Sequence, residues 1–117
     1  FGLDDSKQLE TLNLRLSKNE IKIGDFLFFE FDIINQSKKE RAIRLEYKID
    51  YTKANGTLSS KVFQLSEFSL KSNNTKSFKR KQWFKQLSTR VHYPGLHKIT
   101  LIINGDEKDG VRLSLKP

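Results

Sequence analysis

The sequence predicts an all-β domain: an immunoglobulin-like, two-sheet antiparallel β-sandwich of about seven strands. Three observations predict it. Apolar residues recur at every second position through most of the chain, which is the period of half-buried strands. Turn-forming residues interrupt these runs at regular intervals across the 117 residues. No stretch carries a helical stripe of useful length.

Each element follows from that pattern. The first strand spans about residues 9–16, where Leu12, Leu14 and Leu16 alternate with polar residues. The segment Asn19 to Asp25, with Gly24, breaks it. The second strand covers 25–35: Leu27, Phe29, Phe31 and Ile33 share one face, while Glu30 and Asp32 lie on the other. Asn35-Gln36-Ser37-Lys38 forms a polar turn. The third strand, 41–53, holds the longest alternation: Ile43, Leu45, Tyr47, Ile49 and Tyr51. Asn55-Gly56 follows as the strongest short turn signal in the chain. The fourth strand, 60–69, carries Val62, Phe63 and Leu65; Ser72-Asn73-Asn74 turns the chain into the fifth, 76–85. Pro94-Gly95 introduces the sixth, 95–104, with Ile99, Leu101 and Ile103. Asn104-Gly105 and Asp109-Gly110 bracket the connection to the seventh, 110–116, with Val111, Leu113 and Leu115. Residues 1–8 read as a linker and 9–117 as the domain.

Composition narrows the function. Nine Phe in a chain that is 36% hydrophobic provide a core despite 31% charged residues. Without cysteine there is no disulfide, no thiolate nucleophile and no Cys-based zinc site. A small β domain without disulfides fits a reducing, cytoplasmic setting. No apolar run has the length needed to span a bilayer, and no signal-peptide pattern is present. The chain starts at Phe1 and reads as a piece of a longer protein.

The net charge of +8 is unevenly placed. Residues 1–50 carry nine Lys/Arg against ten Asp/Glu, whereas 51–117 carry thirteen against four. No carboxylate falls between Glu67 and Asp106, an interval holding Lys71, Lys76, Lys79, Arg80, Lys81, Lys85, Arg90 and Lys98. The bland reading is a solvated lysine-rich surface; the sharper one is a footprint for a polyanion. In a sandwich, successive connections alternate between the two ends. The connections after the first, third and fifth strands therefore share one pole, which gathers Lys18, Lys22, Lys53, Asn55, Lys61, Lys85, Arg90, His92 and Tyr93. The other pole gathers Lys38, Lys39, Arg41, Asn73 and Asn74 with the acidic Asp106, Glu107 and Asp109. Loops on a rigid scaffold commonly carry binding residues, so 53–61 and 85–93 are the first candidates.

Other motifs weigh less. His92 and His97 are the only histidines, and with no cysteine or local carboxylate they fall short of a metal site. No positioned triad or nucleophile elbow is visible. The run Lys79-Arg80-Lys81-Gln82-Trp83-Phe84-Lys85 interleaves cations with aromatics. On a strand, Lys79, Lys81, Trp83 and Lys85 share a face that could meet phosphates and stack on bases. The reading favours instead a core Trp83 with lysine stems packed around it. Asn35-Gln36-Ser37, Asn55-Gly56-Thr57 and Asn73-Asn74-Thr75 match the N-glycosylation pattern, but turn chemistry accounts for each asparagine.

Two segments go beyond a generic sandwich. One is Tyr47-Lys48-Ile49-Asp50-Tyr51-Thr52-Lys53-Ala54-Asn55-Gly56, followed by Ser59-Ser60-Lys61-Val62-Phe63. The other is Thr89-Arg90-Val91-His92-Tyr93-Pro94-Gly95-Leu96-His97, followed by Ile103-Asn104-Gly105. With Ile23-Gly24-Asp25 and Asn35, they make residues 9–116 resemble the carboxy-terminal immunoglobulin-like domain of bacterial DNA alkylation repair proteins. The likeness is to the AlkC branch of HEAT-like-repeat alkylpurine DNA glycosylases. Where that family often has Ser-Pro before the lysine, this chain has Ser59-Ser60. The resemblance implies a preceding HEAT-like-repeat domain that excises alkylated bases such as 3-methyladenine, and an immunoglobulin-like domain that helps grip duplex DNA. It implies no catalytic residue, metal or cofactor in this segment, and no membrane partner.

By this reading Lys53, Lys61, Lys85 and Arg90 face phosphates. Asn55, with Gly56 permitting close backbone approach, reaches into a groove. His92 and Tyr93 offer hydrogen bonds and a flat surface. Such contacts position a protein without reading sequence. The alternative is an immunoglobulin-like protein-interaction or cell-envelope module, since this fold hosts many functions.

Overall fold

The computed structural model describes residues 8–85 and 92–117. Among them, eight strands form two sheets packed face to face. The smaller sheet has the order β1-β3-β6, from β1 (Leu9–Leu16), β3 (Phe26–Asn35) and β6 (Thr75–Trp83). The larger has the order β2-β8-β7-β4-β5, from β2 (Glu20–Lys22), β8 (Asp106–Lys116), β7 (Gly95–Ile103), β4 (Arg41–Thr52) and β5 (Leu58–Leu70). Apart from Gln8, the expected linker lies outside the described residues.

The alternating pattern fixes which faces meet. Leu27, Phe29, Phe31 and Ile33 of β3 point inward against Ile43, Leu45, Tyr47, Ile49 and Tyr51 of β4 and against Ile99, Leu101 and Ile103 of β7. Burying each such side chain stabilises the fold by about 1.5–3 kcal/mol. The rings of Phe29 and Tyr47 meet across the sheets with centroids 5.0 Å apart. The Tyr47 hydroxyl donates to Gln82 Oε1 on β6 at 2.6 Å, so the one polar atom that Tyr47 brings into the core is paired.

Three details differ from the expected elements. The segment between the first two long strands contains β2, which leaves the smaller sheet and runs parallel to β8, with Ile21 opposite Leu115. Its single buried residue, Ile21, closes the side of the core. One apolar residue between two polar ones is too short a run to read as a strand. The last strand begins at Asp106, so Asp109-Gly110 lies inside it, across from a register shift between Thr100 and Ile102. The connection is Asn104-Gly105 alone. Both residues have positive φ (51° and 86°), as a two-residue type I′ hairpin turn requires. Finally, β5 runs from Leu58 to Leu70, starting two residues before the expected 60.

The pole formed by the β3–β4 and β5–β6 connections is organised by one fully buried asparagine. Asn35 Nδ2 donates to the carbonyls of Lys39 (3.0 Å) and Leu70 (2.8 Å). Its Oδ1 accepts from the Ser37 amide (2.9 Å) and hydroxyl (2.6 Å). Its backbone bonds reach Asn73 and Asn74 of the neighbouring turn. The Asn35 sequon is therefore a structural knot, as its turn chemistry suggested.

Candidate functional site

The end of β4, the residue after β6 and the start of β7 meet at the opposite pole. The Thr52 hydroxyl donates to the Leu96 carbonyl, tying the end of β4 to the start of β7. At Gly95, with φ +140°, a Cβ would come within 3.2 Å of Thr52 Cγ2, so glycine permits this close approach. The β2–β3 link joins the same pole: the Gly24 amide donates to the Phe84 carbonyl at 2.8 Å, and the Phe84 amide to the Asp25 carbonyl at 2.9 Å.

A plug of four rings holds this pole together. His92 packs 5.3 Å from Tyr51 and 5.4 Å from Phe84, and His97 lies 5.8 Å from Tyr51 and 5.9 Å from Phe84. His97 is only 1% exposed, and burial holds its pKa below the usual histidine range, with the backbone at Gly95 and Leu96 offsetting part of that effect. His92 is 4% exposed. This corrects the expectation that His92 offers a surface hydrogen bond: its imidazole faces the plug.

The remaining candidate residues divide by position. Lys53, Asn55 and Gly56 are exposed at the tip of the β4–β5 turn. The Gly56 amide donates to the Lys53 carbonyl (2.9 Å), the Lys53 amide to the Thr57 carbonyl (2.8 Å), and Gly56 has φ +84°. This is a turn closed by a left-handed glycine, the three-residue hairpin form. Asn55 Oδ1 accepts from the Thr57 amide (3.1 Å) and hydroxyl (2.7 Å), so this asparagine rigidifies the tip. Lys85 is exposed beside the tip's pole, and Tyr93 is 36% exposed. Lys61 stands back from the tip, opposite Ile49, with its ammonium 5.4 Å from the Phe63 ring centroid. Arg90 lies outside the described residues. The nearby acids are engaged: Asp25 accepts from the Phe26 amide (2.8 Å) and pairs with Lys18 at 3.9 Å, and Glu20 pairs with Lys116 at 3.8 Å.

Trp83 is not in the core, contrary to the favoured reading; it is 41% exposed on the outer face of the smaller sheet. The register explains why. Trp83 pairs with Phe26, Lys81 with Phe28 and Lys79 with Glu30, and all of these face away from the core, whereas Gln82 and Phe84 face inward. Phe26 and Phe28 were the partners that pattern reading missed. Their signal was available: once Leu27, Phe29 and Phe31 are inside, residues 26 and 28 must be outside.

Comparison with known proteins gives a consistent picture. The family described as the C-terminal Ig-like domain of the uncharacterised protein YhaZ matches residues 10–117. The uncharacterized protein YhaZ of Bacillus subtilis (strain 168) is 40% identical over 111 residues, which is 95% of this chain and 30% of that protein. Among solved structures, Pseudomonas fluorescens alkylpurine DNA glycosylase AlkC, bound to DNA containing an abasic site analog, superposes with a TM-score of 0.91 at 26% identity, covering 94% of this chain and 31% of that one. A β-glucosidase from Listeria innocua shares the fold alone, with a TM-score of 0.71 at 17% identity over 93% of this chain and 16% of that one. The chain spans less than a third of the length of each of these proteins.

Proposed function

The chain belongs to the family of YhaZ C-terminal Ig-like domains, and from that membership we propose that it is the accessory DNA-gripping domain of a bacterial DNA alkylation repair protein. The observation that carries this reading is the likeness, over nearly the whole chain, to a domain of an alkylpurine DNA glycosylase bound to DNA. The parent protein is then a cytoplasmic glycosylase of the 3-methyladenine-excising kind. Its HEAT-like repeats perform the excision, and this segment takes no part in the chemistry.

The pole supplies the grip. Lys53 and Lys85 project where the nearby carboxylates are already engaged, so their charge is available to phosphate. Arg90 belongs to the same connection as Lys85. The rigid Asn55-Gly56 tip brings backbone close to the duplex, and Tyr93 adds a flat edge. Lys61 extends the cationic side along β5, while His92 packs into the ring plug against Tyr51 and Phe84. Each phosphate neutralised releases a counterion, so affinity falls with salt in proportion to the number of contacts. Contacts of this sort suit an enzyme whose target is damage rather than sequence.

The test is salt-dependent duplex binding by the parent protein with and without residues 9–117. The expected result is weaker binding and a shallower salt slope in the truncated protein. Identical affinity and slope would overturn the assignment.

A further inference from the structure

The outer face of the smaller sheet carries a row of lysines laid over aromatic rings. Lys79 Nζ sits 4.7 Å from the Phe28 centroid, Lys81 Nζ 4.5 Å from Phe26, and Lys85 Nζ 4.1 Å from Trp83. The rings support one another, with Phe26 4.7 Å from Trp83 and 5.6 Å from Phe28. Among the described residues, no ion pair engages these three lysines. Two carboxylates share the face, and both are occupied: Glu30 pairs with Arg15 at 3.3 Å, and Asp32 accepts from Ser77 (2.6 Å) and Asn13 (2.9 Å). Hydrogen bonding to Ser77 and Asn13 holds the Asp32 carboxyl below its usual range.

We propose that this row is a second DNA-backbone site, along which one strand of the duplex runs from Lys79 past Trp83 to Lys85 and so into the pole. The proposal rests on the DNA-gripping reading and deepens it. Three features fit a phosphodiester strand. The row is linear, because alternate residues of one extended strand stand about 6.6 Å apart, a step comparable to that between successive phosphates. The rings hold each ammonium in place through its π face without neutralising it, as a carboxylate would. Ordering the lysines beforehand lowers the entropy lost when they meet a polyanion. Lys85 belongs to both the row and the pole, so the two surfaces are continuous.

The single tryptophan of the chain reports on this face directly. An undamaged duplex titrated into the 117-residue chain at low salt is expected to change Trp83 fluorescence. Replacing both Lys79→Gln and Lys81→Gln should make the fall in affinity between 50 and 200 mM salt about tenfold smaller, as the loss of two phosphate contacts predicts. Lys38→Gln with Lys39→Gln, at the opposite pole, should leave it unchanged. Lys53→Gln separates the two surfaces. If it weakens binding while the Lys79/Lys81 variant does not, the row is overturned and the pole stands. No binding by the chain, or binding with no fluorescence change and an unaltered salt slope in the Lys79/Lys81 variant, also overturns the row. In those cases the DNA-gripping reading is decided separately, by the parent protein with and without the domain. If the Lys79/Lys81 variant aggregates but binds with the parental slope, these lysines protect an edge strand and the row is again overturned.

Discussion

The two poles of the sandwich are held by opposite means. At the Asn35 pole, one side chain with no exposure satisfies two carbonyls, an amide and a hydroxyl from two segments, the β3–β4 connection and the end of β5. At the pole bearing Lys53, four rings packed edge-on or tilted fill the space between the ends of β4 and β7, and among the described residues backbone bonds tie Phe84 to Gly24 and Asp25. A saturated polar knot leaves no group to spare for a ligand. A ring plug anchors the strand ends from below and leaves the β4–β5 tip to solvent. The sequence features that mark the family therefore have two meanings. Asn35, Gly95, His92 and His97 build the scaffold, whereas Lys53 stands on it, as does Lys85, outside those features.

The sharpest way to break this contrast is to remove the same residue type at each pole. Asn35→Ala strands the Leu70 carbonyl and the Ser37 amide in a buried site, while the Ser37 hydroxyl keeps its bond to the Lys39 carbonyl. We expect a loss of about 3–5 kcal/mol, since each buried unsatisfied group costs about 1–3 kcal/mol. Asn55→Ala removes two exposed bonds to Thr57 and should cost about 0.5–1 kcal/mol. Urea denaturation of both variants checks this; similar losses would erase the distinction between knot and tip.

Gly95→Ala probes the closeness of the loops at the plugged pole. The new methyl would meet Thr52 at 3.2 Å from a backbone at φ +140°. A cost of about 1–3 kcal/mol is expected for a side chain forced into that region. Gly56→Ala, at φ +84° with open space around it, should cost about 1 kcal/mol. Thermal melts of the two variants give the ranking, and a reversed order would mean that the approach of Thr52 to β7 is not constrained.

The plug also makes stability depend on pH. His97 packs against the rings of Tyr51 and Phe84, and His92 packs against the same two rings. The pKa of His97 is lowered in the folded state, mainly by burial. The unfolded chain then binds the proton more readily. This contribution is fully present above the unfolded value near 6.5 and is lost as the pH falls from there towards the folded pKa. The slope attributable to this group has a ceiling of about 1.4 kcal/mol per pH unit. Denaturation midpoints measured from pH 7.5 down to 5 should fall in the parent and flatten in His97→Phe. An equal slope in both would place the titrating group elsewhere.

How much of this was legible in the sequence depends on the kind of signal. Period-two alternation located the long strands to within a few residues, because burial of one face leaves no freedom in register. The shared pole was legible for the same reason: strand parity alone brings residues 53 and 85 together. β2 was not legible, since one buried isoleucine between two charged residues has no period. Trp83 stands outside the core that the reading favoured for it, and His92 is buried although it was a candidate contact residue. Their exposure depends on which neighbours cover them. Phe26 and the lysine stems leave the indole outside, and Tyr51 with Phe84 draws the imidazole in. Composition cannot report such tertiary contacts.

The smallest effect on stability should accompany a clear effect on binding. Lys53 is exposed at the turn tip, and its backbone, not its side chain, makes the turn's hydrogen bonds. Lys53→Ala should change stability by less than about 0.5 kcal/mol. In the parent protein it should reduce the magnitude of the salt slope of duplex binding by about one, the share of a single phosphate contact. Asn35→Ala, if a chaotrope-free buffer keeps it folded, should leave that slope unchanged, because the knot supports the far pole alone. Opposite results for these two residues would mean that the duplex lies against the Asn35 pole, and the division between scaffold and grip would have to be reversed.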